Sequence, residues 1–546
     1  MPEITLSGNE IRRARWEKRD LARNGHRGSP RRLRSVTVWI QFIGRTEVRV
    51  SGAESECPGP GTRGRGAVRR ATWVPGAAEL SDVELLLDGA FPALSGFLDA
   101  ADVESVRTRQ RLCDATPWPA PITLTVPAEV AAADEIELQD SEGAPVAVVS
   151  NVAAWSDADG SHAAGPVRAA AAPTGALRRM RPPAASVREN LSHGPVLAML
   201  PEKPLHHKEI AQLRELVAEH GAHLLLLPRM IGPRPEVLVQ AVLAARPELP
   251  PDTTVVPVPL AQRPDPKRDA LLTAHVAAAY GATHLISEHP LEQPPIPGLE
   301  PPEVVREDTG RWRPAAQVEP SRRLPGLSAE ELRAHLDRGD PLPSWFTTPA
   351  IAEQQQRLHP PLSRRGFTVL FTGLSGAGKS TMARALRDEL TQYDHRAVTL
   401  LDGDVVRRTL CAGLGFSAED RSRNVRRIGF VASEVTRHGG AAICAPIAPY
   451  RADRDAVRDM VEESGGFVLV YVATPLGECE RRDRKGLYRK ARAGTLPEFT
   501  GVSAPYEVPA DADLVLDTSG LSQDEAVDEV VALLRRRGWV GRWNPH

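Results

Sequence analysis

The stretch Gly373-Leu374-Ser375-Gly376-Ala377-Gly378-Lys379-Ser380-Thr381 carries the spacing G-x-x-x-x-G-K-S. Glycines so placed let successive backbone N–H groups converge on a phosphate, Lys379 reaches the β- and γ-oxygens, and the Ser380 hydroxyl suits Mg²⁺. A nucleoside triphosphate is the ligand that fits. Further on, Asp402-Gly403-Asp404 sets two carboxylates two positions apart. At a strand end they would share a face, one organising Mg²⁺ through its waters and the other accepting a proton from an attacking hydroxyl. A solvated acidic turn is the bland reading of the same residues. Downstream, Phe416 precedes Arg421, Arg423, Arg426 and Arg427 at helical spacing. That arrangement suits an anionic second substrate with a purine to stack, although several of these arginines must be ordinary surface charges.

These groups need a scaffold. The β-branched and aromatic run 367–372 predicts a buried strand feeding the glycine-rich loop, the pattern 382–390 a helix aimed at the anion, and 397–401 a second buried strand ending at Asp402. Ahead of them, apolar strands at 196–200, 224–227, 254–256 and 283–286 alternate with helical patterns near 208–220, 235–245 and 267–280. Strand and helix in that rhythm mean a parallel sheet with helices on its faces and ligands at the carboxyl ends of its strands. Segments 83–89, 122–126, 136–138 and 146–149, with a turn at 140–143, read as short strands of a β-rich domain. The stretch 163–186 reads as a connector, 290–320 as a proline-rich segment, and Ser328 with Glu331 as a capping box that opens a helix.

Composition bounds the rest. A chain of 546 residues is too long for one core, and 41% hydrophobic with 25% charged residues is ordinary globular usage, so bulk disorder is excluded. Lys+Arg total 68 against 70 Asp+Glu, a net charge of −2, so no global field recruits nucleic acid or an anionic membrane. The five cysteines form no C-x-x-C pair, as expected of reduced thiols, and no apolar run is long enough to span a bilayer. The cytoplasm is the expected address. The arginine-rich start, broken by glycine, serine and proline, reads as an unstructured tail, with RNA contact or targeting as the alternatives.

The C-terminal third resembles the adenylyl-sulfate (APS) kinases. The resemblance rests on Phe371 to Thr381, Leu401-Asp402-Gly403-Asp404, Gly415-Phe416-Ser417 with Asp420-Arg421 and Asn424, Pro449 to Arg454, Lys485 to Arg492, and Phe499-Thr500-Gly501. It implies transfer of the ATP γ-phosphoryl group to the 3′-hydroxyl of adenylyl sulfate, with Mg²⁺, in a homodimer. Carried over by position, Asp404 is the base, Asp402 organises Mg²⁺ with Ser380, and Lys379 serves the phosphates. Arg407, Arg421, Asn424, Ile447 and Lys485 meet adenylyl sulfate, whose adenine lies between Phe416 and Phe499. Lys485, Leu487, Tyr488, Lys490 and Arg492 belong to a lid. Three positions depart from the usual pattern: Ala448 replaces a serine that can carry phosphate in many relatives, Val405 replaces Asn, and Arg484 replaces Pro.

The middle of the chain, from about 83 to 357, resembles ATP sulfurylase in Leu85 to Phe91, Leu94 to Leu98, Pro121 to Leu124, Gly281 to Ile286 and Pro343-Ser344-Trp345-Phe346. Active sulfurylases carry Q-x-R-N-P-x-H-x-x-H; the aligned stretch here is Leu200 to Glu209, with His206 kept, Glu202 for the Arg and Glu209 for the second His. Carboxylates in an anion clamp oppose binding. The later G-R-D-H-A-G loop has become Ser287-Glu288-His289-Pro290-Leu291-Glu292, while Arg263 and Arg268 persist and would leave some nucleotide affinity. His206, His207 and Glu209 also invite a metal reading, against which stand solvated residues at a helix start.

The expected architecture is therefore α/β multidomain: a tail (1–80), a β-rich PUA-like sulfurylase domain with connector (81–185), a nucleotidyltransferase-like α/β domain (190–320), a small helical segment (321–363) and a P-loop kinase domain (364–546). The expected function is adenylyl-sulfate kinase with an inactive sulfurylase-like region. A bifunctional synthase making 3′-phosphoadenylyl sulfate from ATP and sulfate is the alternative, and a non-catalytic nucleotide sensor the second.

Overall fold

The computed structural model describes residues 68–541 apart from 173, 174, 176, 192, 233 and 289. The arginine-rich tail and Cys57 fall outside these residues.

The first layer is a six-stranded, mostly antiparallel sheet in the order Arg70–Trp73, Glu135–Gln139, Pro145–Ser150, Gly160–Ala169, Gly96–Phe97, with Ala153–Asp157 paired to Gly160–Ala169. It starts earlier than the expected boundary at 81, because Arg70–Trp73 pairs in parallel with Glu135–Gln139 and a helix follows at Ala77–Leu87. That helix overturns the strand expected at 83–89. Leucines in a row fit either period, and the local cap decides: Glu79 accepts from the Gly76 amide at 2.9 Å, which opens a helical turn. Two further expectations fail for tertiary reasons. Residues 122–126 form no strand: besides the isolated bridge Thr125↔His162, their backbone bonds are scattered, from Leu98 N to Ile122 O (3.0 Å), from Ala163 N to Leu124 O (3.0 Å) and from Val126 N to Ser161 O (2.9 Å). The supposed connector 163–186 contains the end of strand Gly160–Ala169 and the start of helix Ala184–Asn190.

The second layer is a five-stranded parallel sheet, Gly298–Leu299, His284–Ile286, Val196–Met199, His223–Leu226, Thr254–Val255, covered by helices that include His207–His220, Pro235–Ala244 and Pro266–Ala279. The proline-rich stretch is more structured than expected: Val304–Glu307 pairs antiparallel with Trp312–Pro314 and with Arg323–Leu324, so this small sheet straddles the boundary drawn at 320. Ser328 caps helix Ala329–Arg338 and its amide donates to Glu331 at 2.8 Å.

The last domain is a five-stranded parallel sheet ordered Val398–Asp402, Ala441–Ala445, Phe367–Thr372, Gly466–Val472, Leu514–Leu516. All six residues of the central strand are buried, as a sheet covered on both faces requires. The glycine-rich loop leaves this strand at its carboxyl end and runs into helix Lys379–Tyr393, three residues earlier at its start than the pattern 382–390 implied.

Arg396 ties the linker and the C-terminus to this domain. Its side chain is 5% exposed, pairs with Asp394, and donates to the carbonyls of Arg365 (2.9 Å), Leu362 (3.0 Å) and Trp539 (2.8 Å). Arg396→Ala strips three carbonyls and a carboxylate of their donor, and is expected to destabilise the domain by about 3 kcal/mol. Denaturant unfolding followed by Trp539 fluorescence checks this; a change below about 1 kcal/mol would show that water replaces the guanidinium.

Candidate active site

Strand Phe367–Thr372 delivers the chain to a loop whose backbone only glycine tolerates. Gly373 has φ +146°, and a Cβ there would lie 2.5 Å from the Val472 carbonyl oxygen; Gly376 has φ +79°, with Cys479 O at 3.0 Å from a Cβ. Lys379 follows, buried, its ammonium donating to Leu374 O at 2.7 Å. Burial pulls its pKa down to about 8, with the charge of Lys485 adding to the depression while Cys479, Asp402 and Asp404 oppose it.

The two carboxylates do not share a strand face. Asp402 ends its strand and caps helix Gly403–Arg408, its Oδ1 accepting from the Asp404 amide at 3.0 Å. Burial pushes its pKa up, but hydrogen bonds from the Ser380 hydroxyl and nearby amides, with the Arg384 charge, outweigh that and hold it below the ordinary value. Its buried Oδ2 has no hydrogen-bond partner; Arg384 Nη2 stands 3.6 Å away. Asp404 lies in the first turn of the helix, more than half exposed, paired with Lys485. Separation by a helix start gives the pair two environments, one dry and one open.

Around them lies a cleft of about 840 Å³ lined by Ser375, Gly376, Gly378 to Thr381, Asp404, Arg407, Phe416, Arg421, Asn424, Ile447, Lys485, Leu487, Tyr488 and Phe499. Helix Ala418–Arg437 supplies Arg421, whose Nη1 donates to Thr500 Oγ1 at 3.0 Å, and Asn424, whose buried Oδ1 has no partner. Arg407 lies over the exposed Phe416 ring, 4.5 Å from its centroid. Thr372 Oγ1 donates to Ile447 O at 2.7 Å, and Ala448 beside it is buried with φ +44°.

Other expected residues sit elsewhere. Gly373, Leu374, Ala377 and Asp402 adjoin the cleft without lining it, Lys490 is exposed outside it, and Arg492 pairs with Glu480. Sequence reading missed Arg384, Arg482 and Thr518. Thr518 donates to Ala377 O at 2.9 Å and takes a hydrogen bond from Arg482 Nη1 at 2.9 Å, so it braces the phosphate loop from the end of strand Leu514–Leu516, two strands away in the sheet. The polar triplet Asp517-Thr518-Ser519 after strand Leu514–Leu516 was the signal.

In the middle region the charges are paired internally. Arg229, 2% exposed, donates to Glu202 Oε1 at 2.7 Å and to both oxygens of Asp269 at 2.7 and 3.1 Å. Arg263 pairs with Asp82, and Arg268 donates to the carbonyls of Val106, Arg107 and Pro119, which corrects the expectation that these two arginines are available to a nucleotide. Glu209 accepts from the His206 amide at 3.0 Å. His206 is not solvated: its Nδ1 meets Thr347 Oγ1 at 2.9 Å, its ring packs on Phe346, and burial lowers its pKa to about 4. Among the described residues no cluster of three or more His, Cys, Asp or Glu fits a metal ion, and no helix is long and apolar enough to cross a membrane.

Comparison with known proteins gives the following. The family described as adenylylsulphate kinase matches residues 365–517, and the PUA-like domain family matches 72–166. A sulfate adenylyltransferase of Phaeosphaeria nodorum is 34% identical, covering 84% of this chain and 92% of its own length; one of Neurospora crassa is 33% identical, covering 85% and 93%. Among solved structures, a hexameric APS kinase from Thiobacillus denitrificans is 34% identical with a TM-score of 0.69, covering 86% of this chain and 94% of that one.

Proposed function

We propose, from the premise that this chain belongs to the sulfate adenylyltransferase family and carries its kinase activity in an adenylylsulphate kinase domain, that it phosphorylates adenylyl sulfate at the 3′-hydroxyl and no longer makes adenylyl sulfate. The carrying observation is the single cleft in which Lys379 of the phosphate loop, Asp404, and the anion-binding set Arg407, Arg421 and Asn424 face one another.

Phosphoryl transfer is mostly positioning and charge neutralisation. The loop amides hold the β-phosphate and Lys379 faces the β/γ-oxygens. Arg407, Arg421 and the unpartnered Asn424 Oδ1 receive the phosphosulfate and its ribose, with the adenine between Phe416 and Phe499. Asp404 accepts the 3′-hydroxyl proton as the new O–P bond forms and the bond to the ADP oxygen breaks, leaving 3′-phosphoadenylyl sulfate and ADP. A buried Oδ2 of Asp402 with no hydrogen-bond partner beside the Ser380 hydroxyl fits Mg²⁺, and these two would hold it directly or through its waters. When bound, Mg²⁺ neutralises charge on the β- and γ-phosphates.

The second half of the proposal rests on Arg229, Arg263 and Arg268. All three are engaged by this chain's own carboxylates or carbonyls, and Glu202 and Glu209 stand where the resemblance places cationic groups. A free sulfate meets no uncommitted cation among them. The Thiobacillus relative that spans the same domains is named as an APS kinase, which supports the reading.

The test is nucleotide product analysis on the full chain. ATP with adenylyl sulfate is expected to give 3′-phosphoadenylyl sulfate and ADP; ATP with inorganic sulfate is expected to release no pyrophosphate. Pyrophosphate from sulfate alone would restore the bifunctional synthase reading.

A further inference from the structure

The donor and acceptor halves of the cleft are joined by a side chain that the transfer chemistry does not use. Tyr488, 3% exposed in helix Leu487–Arg492, donates its hydroxyl to the Ser375 carbonyl of the phosphate loop at 2.8 Å. Its ring meets Phe499 edge-on, centroids 5.0 Å apart and planes at 84°. The next residue along, Thr500, accepts from Arg421. The start of the helix is fixed in turn, because the Asp483 carboxylate accepts from the amides of Tyr488 (3.2 Å) and Arg489 (3.1 Å).

A buried hydroxyl needs its partner, so a shift of the Ser375 carbonyl either moves Tyr488 or strands its O–H. The edge-on ring contact passes that movement to Phe499, and the backbone passes it to Thr500 and Arg421. Resting on the kinase reading above, we propose that Tyr488 is a positioning residue that couples the two nucleotide sites: the phosphate loop in its anion-bound shape sets the aromatic wall and the arginine that receive adenylyl sulfate. Coupling of this kind is reciprocal, so adenylyl sulfate must tighten the ATP site by the same factor.

The experiment is titration calorimetry on the full chain, using adenylyl sulfate with and without a saturating imido analogue of ATP that cannot transfer its phosphoryl group. In the unaltered protein the analogue is expected to tighten adenylyl sulfate binding by about fivefold or more. In Tyr488→Phe the factor is expected to fall to within about twofold of unity. The reverse titration should show the same loss. Phe keeps the ring against Phe499, so the hydroxyl is isolated, while Tyr488→Leu removes both contacts and should do no better. The factor belongs to folded molecules, so a lowered Tm alone does not reproduce its loss. A Tyr488→Phe protein that keeps the full factor, or an unaltered protein with a factor of one that still turns over, overturns the proposal. Absence of turnover in the unaltered protein strikes the kinase reading instead.

Discussion

Lys379→Ala is expected to lower kcat for phosphorylation of adenylyl sulfate by about a thousandfold, roughly 4 kcal/mol of transition-state stabilisation. The ammonium is buried, so little water competes for the charge it offers to the γ-phosphoryl group as the bond to ADP breaks. Stability should not fall with activity, because the substitution also removes a cation whose burial is unfavourable. Steady-state kinetics alongside thermal melts separate the two. The same residue gives the enzyme a pH signature. Its pKa is depressed to about 8 without nucleotide, and phosphate oxygens favour the charged form, so binding raises it. Above pH 8 ATP binding must then take up a proton, and affinity should weaken by up to about tenfold per pH unit; below pH 7 this group is already charged and contributes no slope. Calorimetry in buffers of different ionisation enthalpy reads the uptake, which Lys379→Ala should abolish. Retention of more than a tenth of kcat by that variant would show that Lys379 is not the group that stabilises the transferring phosphoryl charge.

Asp404→Asn is expected to cost about 10²- to 10⁴-fold in kcat, the range for loss of a positioned general base. Asparagine keeps the size and removes the proton acceptor. The change also leaves Lys485 without its carboxylate partner, so Lys485→Ala is the necessary companion. If Asp404 takes the proton, Asp404→Asn is slower than Lys485→Ala by at least about tenfold in kcat. If its role is only to hold the lid lysine, both variants slow equally and the double variant is no slower than either, a non-additivity that a mutant cycle measures.

The kinase site was legible because its chemistry is local. Gly373 to Thr381 is a contiguous string whose spacing is dictated by phosphate geometry, and the buried run 367–372 announces the strand that must precede it. The alternating strands and helices between 196 and 286 were readable for a similar reason, since each element carries its own period. What escaped depends on distant partners. The leucine run in helix Ala77–Leu87 has no unique period, and the end of strand Gly160–Ala169 is a strand because its neighbours pair with it. Thr518 acts on a loop far earlier in the chain. Asp402 and Asp404 were found by type but placed wrongly relative to each other, because a helix begins between them. The engagement of Arg263 by Asp82 across 181 positions could not be read from either residue alone.

On the proposed reading, in which the middle region has lost sulfate activation, the Arg229 pairing makes that loss hard to undo. A lineage recovering a sulfate clamp through Glu202 alone would still find Arg229 held by Asp269, and loss of Asp269 would strand Arg229 beside a single carboxylate and free the Arg263 amide as well. Breaking a buried ion pair by removing one partner costs about 3–5 kcal/mol, a large share of a domain's stability, before any catalytic benefit arrives. The route back therefore crosses a valley that single substitutions descend and only concerted ones climb, and descendants of this chain should keep the ratchet engaged.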